Sequence, residues 1–196
     1  MNDNNFNWDA IAAVVVALIG LLAIFISGYT AWNVRQQTRA QVWPYLQMGE
    51  SDYLPSDIAK GGDPIVSHGG TLEALNKGVG PAIVRSVEVL VDGKPQPGWN
   101  HVFAALGYRS DPPFEVSSFD HTVLSPSNNL NFLTIYGEKA WLSFKSKFVN
   151  NVVIRTCYCS TLGDCWMSTL DFRKRHRQGQ PVDSCAGVPA AEQFRG

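Results

Sequence analysis

An uncharged run of 20 residues, Ala10 to Tyr29, constrains this chain more than any other feature. Residues 10–26 (AIAAVVVALIGLLAIFI) are all apolar or Gly. A helix rises about 1.5 Å per residue, so the run reaches about 30 Å, the depth of a bilayer core. Trp8 stands at one end, and Tyr29 and Trp32 at the other, where amphipathic rings favour the headgroup zone. A chain of 196 residues has little core with which to enclose such a helix on every face, so a transmembrane helix over residues 10–29 is predicted. A cleaved signal peptide needs a basic n-region and a small-x-small cleavage site. The leading MNDNNFNWD has no Lys or Arg, and Ser27 to Ala31 forms a poor cleavage site, so an uncleaved signal-anchor with one span is expected.

The flanks predict an orientation. No base precedes the run, whereas Arg35 and Arg39 follow it. The positive-inside rule then puts the nine-residue N-terminal tail outside and the rest of the chain in the cytoplasm. Ala13, Ala17 and Gly20 share one stripe of the helix, where small residues let a second helix approach closely.

After the span, Thr30 to Trp43 has no Gly or Pro and reads as a juxtamembrane helical stalk, ending where Pro44 disfavours helix in the residue before it. Pro44–Gly49 reads as a first strand and Ser51–Gly70 as a loop. Thr71–Asn76, Ile83–Val91, Glu115–Ser118, His121–Leu124 and Leu130–Tyr136 read as strands. In the second of these, Val87, Val89 and Val91 share a face, and Asp92-Gly93 then signals a hairpin. The Asn76 to Pro81 turn has two glycines suited to positive φ. Trp99–Tyr108 and Glu138–Phe148 read as helices, the latter with Trp141, Phe144 and Phe148 on one stripe. Asn151–Cys159 and Cys165–Leu170 form a last hairpin around Gly163-Asp164. The expectation is a mainly β protein: a small antiparallel β-sandwich (Ig-like) over 44–170, with one or two short helices and an irregular basic tail over 171–196.

Three of the four cysteines, Cys157, Cys159 and Cys165, lie within nine residues. On a strand Cys157 and Cys159 project to one face, and the turn can bring Cys165 opposite them. In a cytoplasmic domain they serve as small buried hydrophobes. In an oxidising compartment a Cys159–Cys165 disulfide is the natural outcome. A metal or redox site made by all three departs from the usual paired zinc spacing and needs a fourth ligand. In the tail, Arg173, Lys174, Arg175 and Arg177 form a basic run that suits anionic lipid headgroups. The net charge of −1 leaves no global basic character for nucleic acid.

No G-x-S-x-G, P-loop or dinucleotide fingerprint is present, and no two histidines stand at ligand spacing. Asp120-His121 reads as a loop acid beside a strand-edge His, because no nucleophile can be nominated. No catalytic residue and no cofactor are therefore expected.

Three pieces occur in order: Arg35-Gln36-Gln37-Thr38-Arg39 leading to Trp43-Pro44-Tyr45; Asn76-x-Gly78-x-Gly80-Pro81-Ala82; and Cys157-Tyr158-Cys159-Ser160 with Gly163-Asp164-Cys165-Trp166. Together they resemble a group of uncharacterised bacterial membrane-anchored proteins with one N-terminal span and a small β-rich domain. That resemblance covers the chain to about residue 170 and implies a bacterial inner membrane, with no established activity to transfer. The functional expectation is a non-enzymatic binding or sensing module, an accessory subunit with a protein partner or a second copy of itself. The alternatives are a thiol or metal protein using Cys157, Cys159 and Cys165, and a membrane effector that oligomerises through its span.

Overall fold

The structure is a computed structural model that describes residues 8–52, 69–174, 177–185 and 194. It divides into two units, Met1–Gln41 and Val42–Gly196.

The first unit is one helix, α1 (Trp8–Gln41), of 34 residues. With no proline inside it, nothing interrupts the backbone ladder, and the span and the expected stalk are continuous. Its Ser and Thr hydroxyls bond back to the helix: Ser27 donates to the Ala23 carbonyl at 2.7 Å, Thr30 to Ile26 at 2.8 Å and Thr38 to Val34 at 2.9 Å. This i−4 back-bonding pairs the three Ser and Thr hydroxyls within the helix itself, as an apolar medium requires. Asp9 in the first turn and Arg39 in the last complement the helix dipole. Over Ile11–Gln41 the helix is long and apolar enough to cross a membrane, with a mean hydropathy of 2.8 in its most apolar stretch. Its large side chains are unburied, Phe25 being 75% exposed.

The second unit is mostly antiparallel sheet. In chain order it comprises β1 (Leu46–Ser51), β2 (Gly69–Asn76), β3 (Ala82–Val91), β4 (Lys94–Gln96), α2 (Trp99–Ala105), β5 (Phe114–Val116), β6 (Val123–Leu124), β7 (Asn129–Tyr136), α3 (Glu138–Asn151), β8 (Val152–Cys159), β9 (Cys165–Leu170) and β10 (Arg177–Val182). One sheet has the order β1-β2-β7-β5, the other β10-β9-β8-β3-β4, with β6 also on β3. Val87, Val89 and Val91 face inward opposite Thr156, Ile154 and Val152 of β8. They meet Leu46, Leu72, Leu133 and Ile135 of the first sheet in a single core. Trp99 and Phe103 of α2, and Trp141, Phe144 and Phe148 of α3, complete that core. The α3 stripe is buried as its 3.6-residue spacing requires.

The local differences from the sequence reading have physical causes. β1 begins at Leu46 rather than Pro44, since proline cannot donate to a ladder. Most of the expected 51–70 loop lies outside the described residues, but its end, Gly69-Gly70, belongs to β2. Gly70 lies flat against the Trp141 indole, and a Cβ there would overlap the ring. Gly78 and Gly80 are not at positive φ. They are glycines because their Cα atoms touch the Val42–Tyr45 backbone, where a side chain has no room. The tail beyond residue 170 is not irregular throughout, because Arg177–Val182 pairs with β9. Its register slips between Arg177 and Gln180, and Gly179 takes a φ of 64°, which obscures the strand in the sequence.

Candidate functional site

The Asn76 turn is a structural clamp. The fully buried Asn76 amide donates to the Gly80 carbonyl at 2.8 Å and to the Leu124 carbonyl at 3.0 Å. Its Oδ1 accepts from the Gly78 N–H at 3.0 Å and the Tyr45 N–H at 3.2 Å. The N–H groups of Val79 and Gly80 both donate to the Trp43 carbonyl. Beside the clamp, the open edge of β1 is closed by side chains of the other sheet. Leu46 N–H donates to the Tyr158 hydroxyl at 3.2 Å, and Ser168 donates to the Leu46 carbonyl at 2.8 Å. Tyr158 is buried and stacks on Trp166, with ring centres 6.0 Å apart; burial raises its phenol pKa. The pieces Trp43–Tyr45, Asn76–Gly80 and Tyr158–Trp166 thus converge to hold the start of the first strand, with each donor and acceptor of the Asn76 side chain matched.

A second place is built differently. β3 is covered along one edge by β6 at Ala82 and Ile83, and by β4 from Val89 onward. Between them the Val87 carbonyl is open to a partner, and it accepts the N–H of Phe194 at 3.1 Å. The Phe194 ring is buried and meets Trp99 edge-on at 5.0 Å. Trp99 in turn stacks on Phe132 at 6.3 Å, and Phe132 on Phe119 at 4.9 Å. Val87, Val89, Ile154, Ser117 and Asp120 complete this aromatic cleft, which keeps an internal void of about 10 Å³. Asp120 Oδ2 lies 2.7 Å from His121 Nδ1. Its Oδ1 is buried with no hydrogen-bond partner among the described residues. Asp120 and His121 therefore stand together, as the sequence suggested, but as part of a cleft wall.

The cysteines form the third cluster. Cys157 and Cys159 lie on the outer face of β8, opposite the face that bears Ile154 and Tyr158. Cys159 is bonded to Cys165, its cross-strand partner on β9, with Cα atoms 4.0 Å apart. Cys157 is bonded to Cys185, just past β10, with Cα atoms 5.6 Å apart. The three thiols considered for a metal site are thus brought together, as halves of two disulfides. Sequence spacing does not reveal the Cys157–Cys185 bridge, because the β10 return that carries Cys185 back to β8 has a slipped register and no clean alternation.

The remaining candidates fall on separate elements. Arg173 pairs with Asp171 at 3.4 Å, and with Lys174 and Arg155 it lines an open groove of about 480 Å³. Arg177 is placed on β10, while Arg175 lies outside the described residues. Ala13, Ala17 and Gly20 are exposed on α1, and Gly20 has open space where a Cβ would stand. Two polar groupings brace the domain surface. Lys145 bridges Asp52 at 2.7 Å and Glu50 at 2.9 Å, while the Trp141 N–H donates to Asp52 at 2.8 Å. The hydrogen bonds from Lys145 and then Trp141 hold the Asp52 carboxyl below its usual pKa. The Tyr136 hydroxyl donates to Glu115, which pushes its pKa up to about 12.

The chain matches no known protein family, no curated protein and no solved structure. The aromatic cleft is the feature that the sequence reading missed. Its one available signal was Phe194, the only aromatic residue after Phe172.

Proposed function

We propose that this chain is a single-pass, membrane-anchored, non-enzymatic binding module. Its α1 inserts in the bacterial inner membrane, and its two sheets act as a small Ig-like β-sandwich. The domain captures an extended segment of a partner protein through the cleft beside β3. The observation that carries this reading is Phe194: an aromatic side chain from a remote part of the chain fills the cleft, while its N–H bonds the open β3 edge at Val87. Main-chain bonding to a sheet edge, with a side chain in an adjacent pocket, is how sheet domains recognise extended peptides. Phe194 then serves as the domain's own stand-in for the partner's aromatic residue. Asp120 Oδ1 offers that partner an acceptor that nothing described in this chain takes up.

The side of the membrane follows from weighing two opposed signals. Arg35 and Arg39 favour a cytoplasmic domain. Two disulfides that use all four cysteines favour an oxidising compartment. Two arginines are a small charge bias, whereas reducing cytosol removes both covalent links. We therefore propose that the domain is periplasmic. Paired C-terminal reporters, one active only in the cytoplasm and one only outside, test it; cytoplasmic activity alone overturns it.

The binding reading is tested with full-length chain in detergent carrying Phe194→Ala. A labelled peptide of residues 188–196 (VPAAEQFRG) should bind this variant saturably, and the unmodified chain at least several-fold more weakly. Replacing the peptide's phenylalanine by alanine should abolish binding. Equal binding by both chains, or none to the variant, overturns the proposal.

A further inference from the structure

We infer that the four cysteines form an exchange site for protein thiols, in which Cys185 passes between Cys157 and Cys159. The two bridges are not separate staples. Cys157 and Cys159 are two residues apart on one face of β8, and Cys185 lies against both. Its Sγ is bonded to Cys157 yet stands only 3.5 Å from the Sγ of Cys159, to which it is not bonded. The sulfurs of Cys159, Cys165 and Cys185 all lie within 4.8 Å of one another. A thiolate released at Cys185 or Cys159 therefore has the other's sulfur 3.5 Å away. Accessibility ranks the four: Cys157 is 1% exposed, Cys159 5% and Cys165 9%, while Cys185 is half-buried. Cys185 is thus the sulfur that an incoming thiolate reaches.

The chemistry balances with a dithiol as reductant. One thiolate of the dithiol attacks Cys185 Sγ, the Cys157–Cys185 bond breaks, and Cys157 leaves as thiolate and takes a proton. The second thiolate of the dithiol attacks its own sulfur in the mixed disulfide. It departs as an oxidised dithiol and leaves Cys185 as thiolate; two electrons have entered the protein. Cys185 then attacks Cys159, forming Cys159–Cys185 and expelling Cys165 as thiolate. This last step moves no net electrons. It needs the Cys185 sulfur to close only from 3.5 Å to bonding distance of Cys159, with no change in the pairing of β10. The substrate class is a protein dithiol, and the inference holds whether or not the cleft beside β3 binds a peptide.

The test maps disulfides by mass spectrometry in full-length chain, after acid quench and thiol alkylation. In Cys165→Ser, equilibrated in a glutathione redox buffer, Cys159–Cys185 should appear beside Cys157–Cys185, each above about a tenth of the population. Unmodified chain given one equivalent of dithiothreitol should hold one disulfide distributed over several pairs, Cys159–Cys185 among them. This second arm needs no folded variant. Cys185→Ser should keep Cys159–Cys165 as its sole bridge and form no mixed disulfide at Cys157. Finding no Cys159–Cys185 in either of the first two experiments overturns the inference.

Discussion

The Asn76 clamp and the aromatic cleft belong to one domain, yet they treat polar groups in opposite ways. At the clamp, each donor and acceptor of the Asn76 side chain is matched to backbone, and glycines let the chains touch. At the cleft, the β3 edge is left open between β6 and β4, one carboxylate oxygen has no described partner, and the closing group is Phe194. A buried polar group left unmatched costs free energy, so saturation marks a place built for stability. The unmatched Asp120 Oδ1 in the segment that walls the cleft filled by Phe194 is what the proposed partner would use. The motif residues that stand out most in the sequence are at the stable place, and the proposed binding site is at the other.

The largest test of this contrast is Asn76→Ala. It strips partners from two backbone N–H groups and two carbonyls, each costing about 1–3 kcal/mol when buried, so a loss of roughly 4 kcal/mol is expected in urea unfolding of the domain. A loss below about 1 kcal/mol breaks the distinction between clamp and cleft. Next comes the double variant Cys157→Ala, Cys185→Ala. Its bridge spans 28 residues, for which chain entropy gives about 3.5 kcal/mol. Removing the six-residue Cys159–Cys165 bridge should cost less, about 2 kcal/mol.

Phe194→Ala should cost about 2 kcal/mol, the transfer value of one buried aromatic side chain, and should raise binding of an environment-sensitive apolar dye. Destabilisation without a gain in dye or peptide binding would make Phe194 ordinary core and erase the contrast. The smallest effects concern pH. Tyr136 is held neutral by Glu115, so this bond contributes fully below the ordinary tyrosine pKa of about 10 and is lost as pH rises through about 12. Glu115→Gln should bring one phenol back toward the ordinary range in an absorbance titration. Asp52 has the opposite sign. Its lowered pKa gives stability present above the usual carboxylate range and lost as pH falls through and below it. Because Asp52 is 54% exposed, Asp52→Asn should change acid stability by well under 1 kcal/mol.

Much of the architecture could be read from periodicity. The apolar run from Ala10, the Val87-Val89-Val91 alternation and the Trp141-Phe144-Phe148 stripe each repeat at the period of their element, so burial could be assigned from one segment at a time. β10 could not, because Gly179 and the slipped register break its alternation. Nor could the cleft, whose parts come from β3, α2, the 117–120 segment, β7, β8 and residue 194. No spacing rule joins Phe194 to Val87.

The sequence by itself determined that this chain carries a helix fit to span a membrane and a small, mainly antiparallel domain, because both follow from local patterns of apolar residues. Only the tertiary structure decided which cysteine bonds which, why Asn76, Gly78 and Gly80 stand where they do, and where an aromatic side chain is received. Those outcomes depend on contacts between residues far apart in the chain. Their free energy lies in the meeting of surfaces, and no single segment records it.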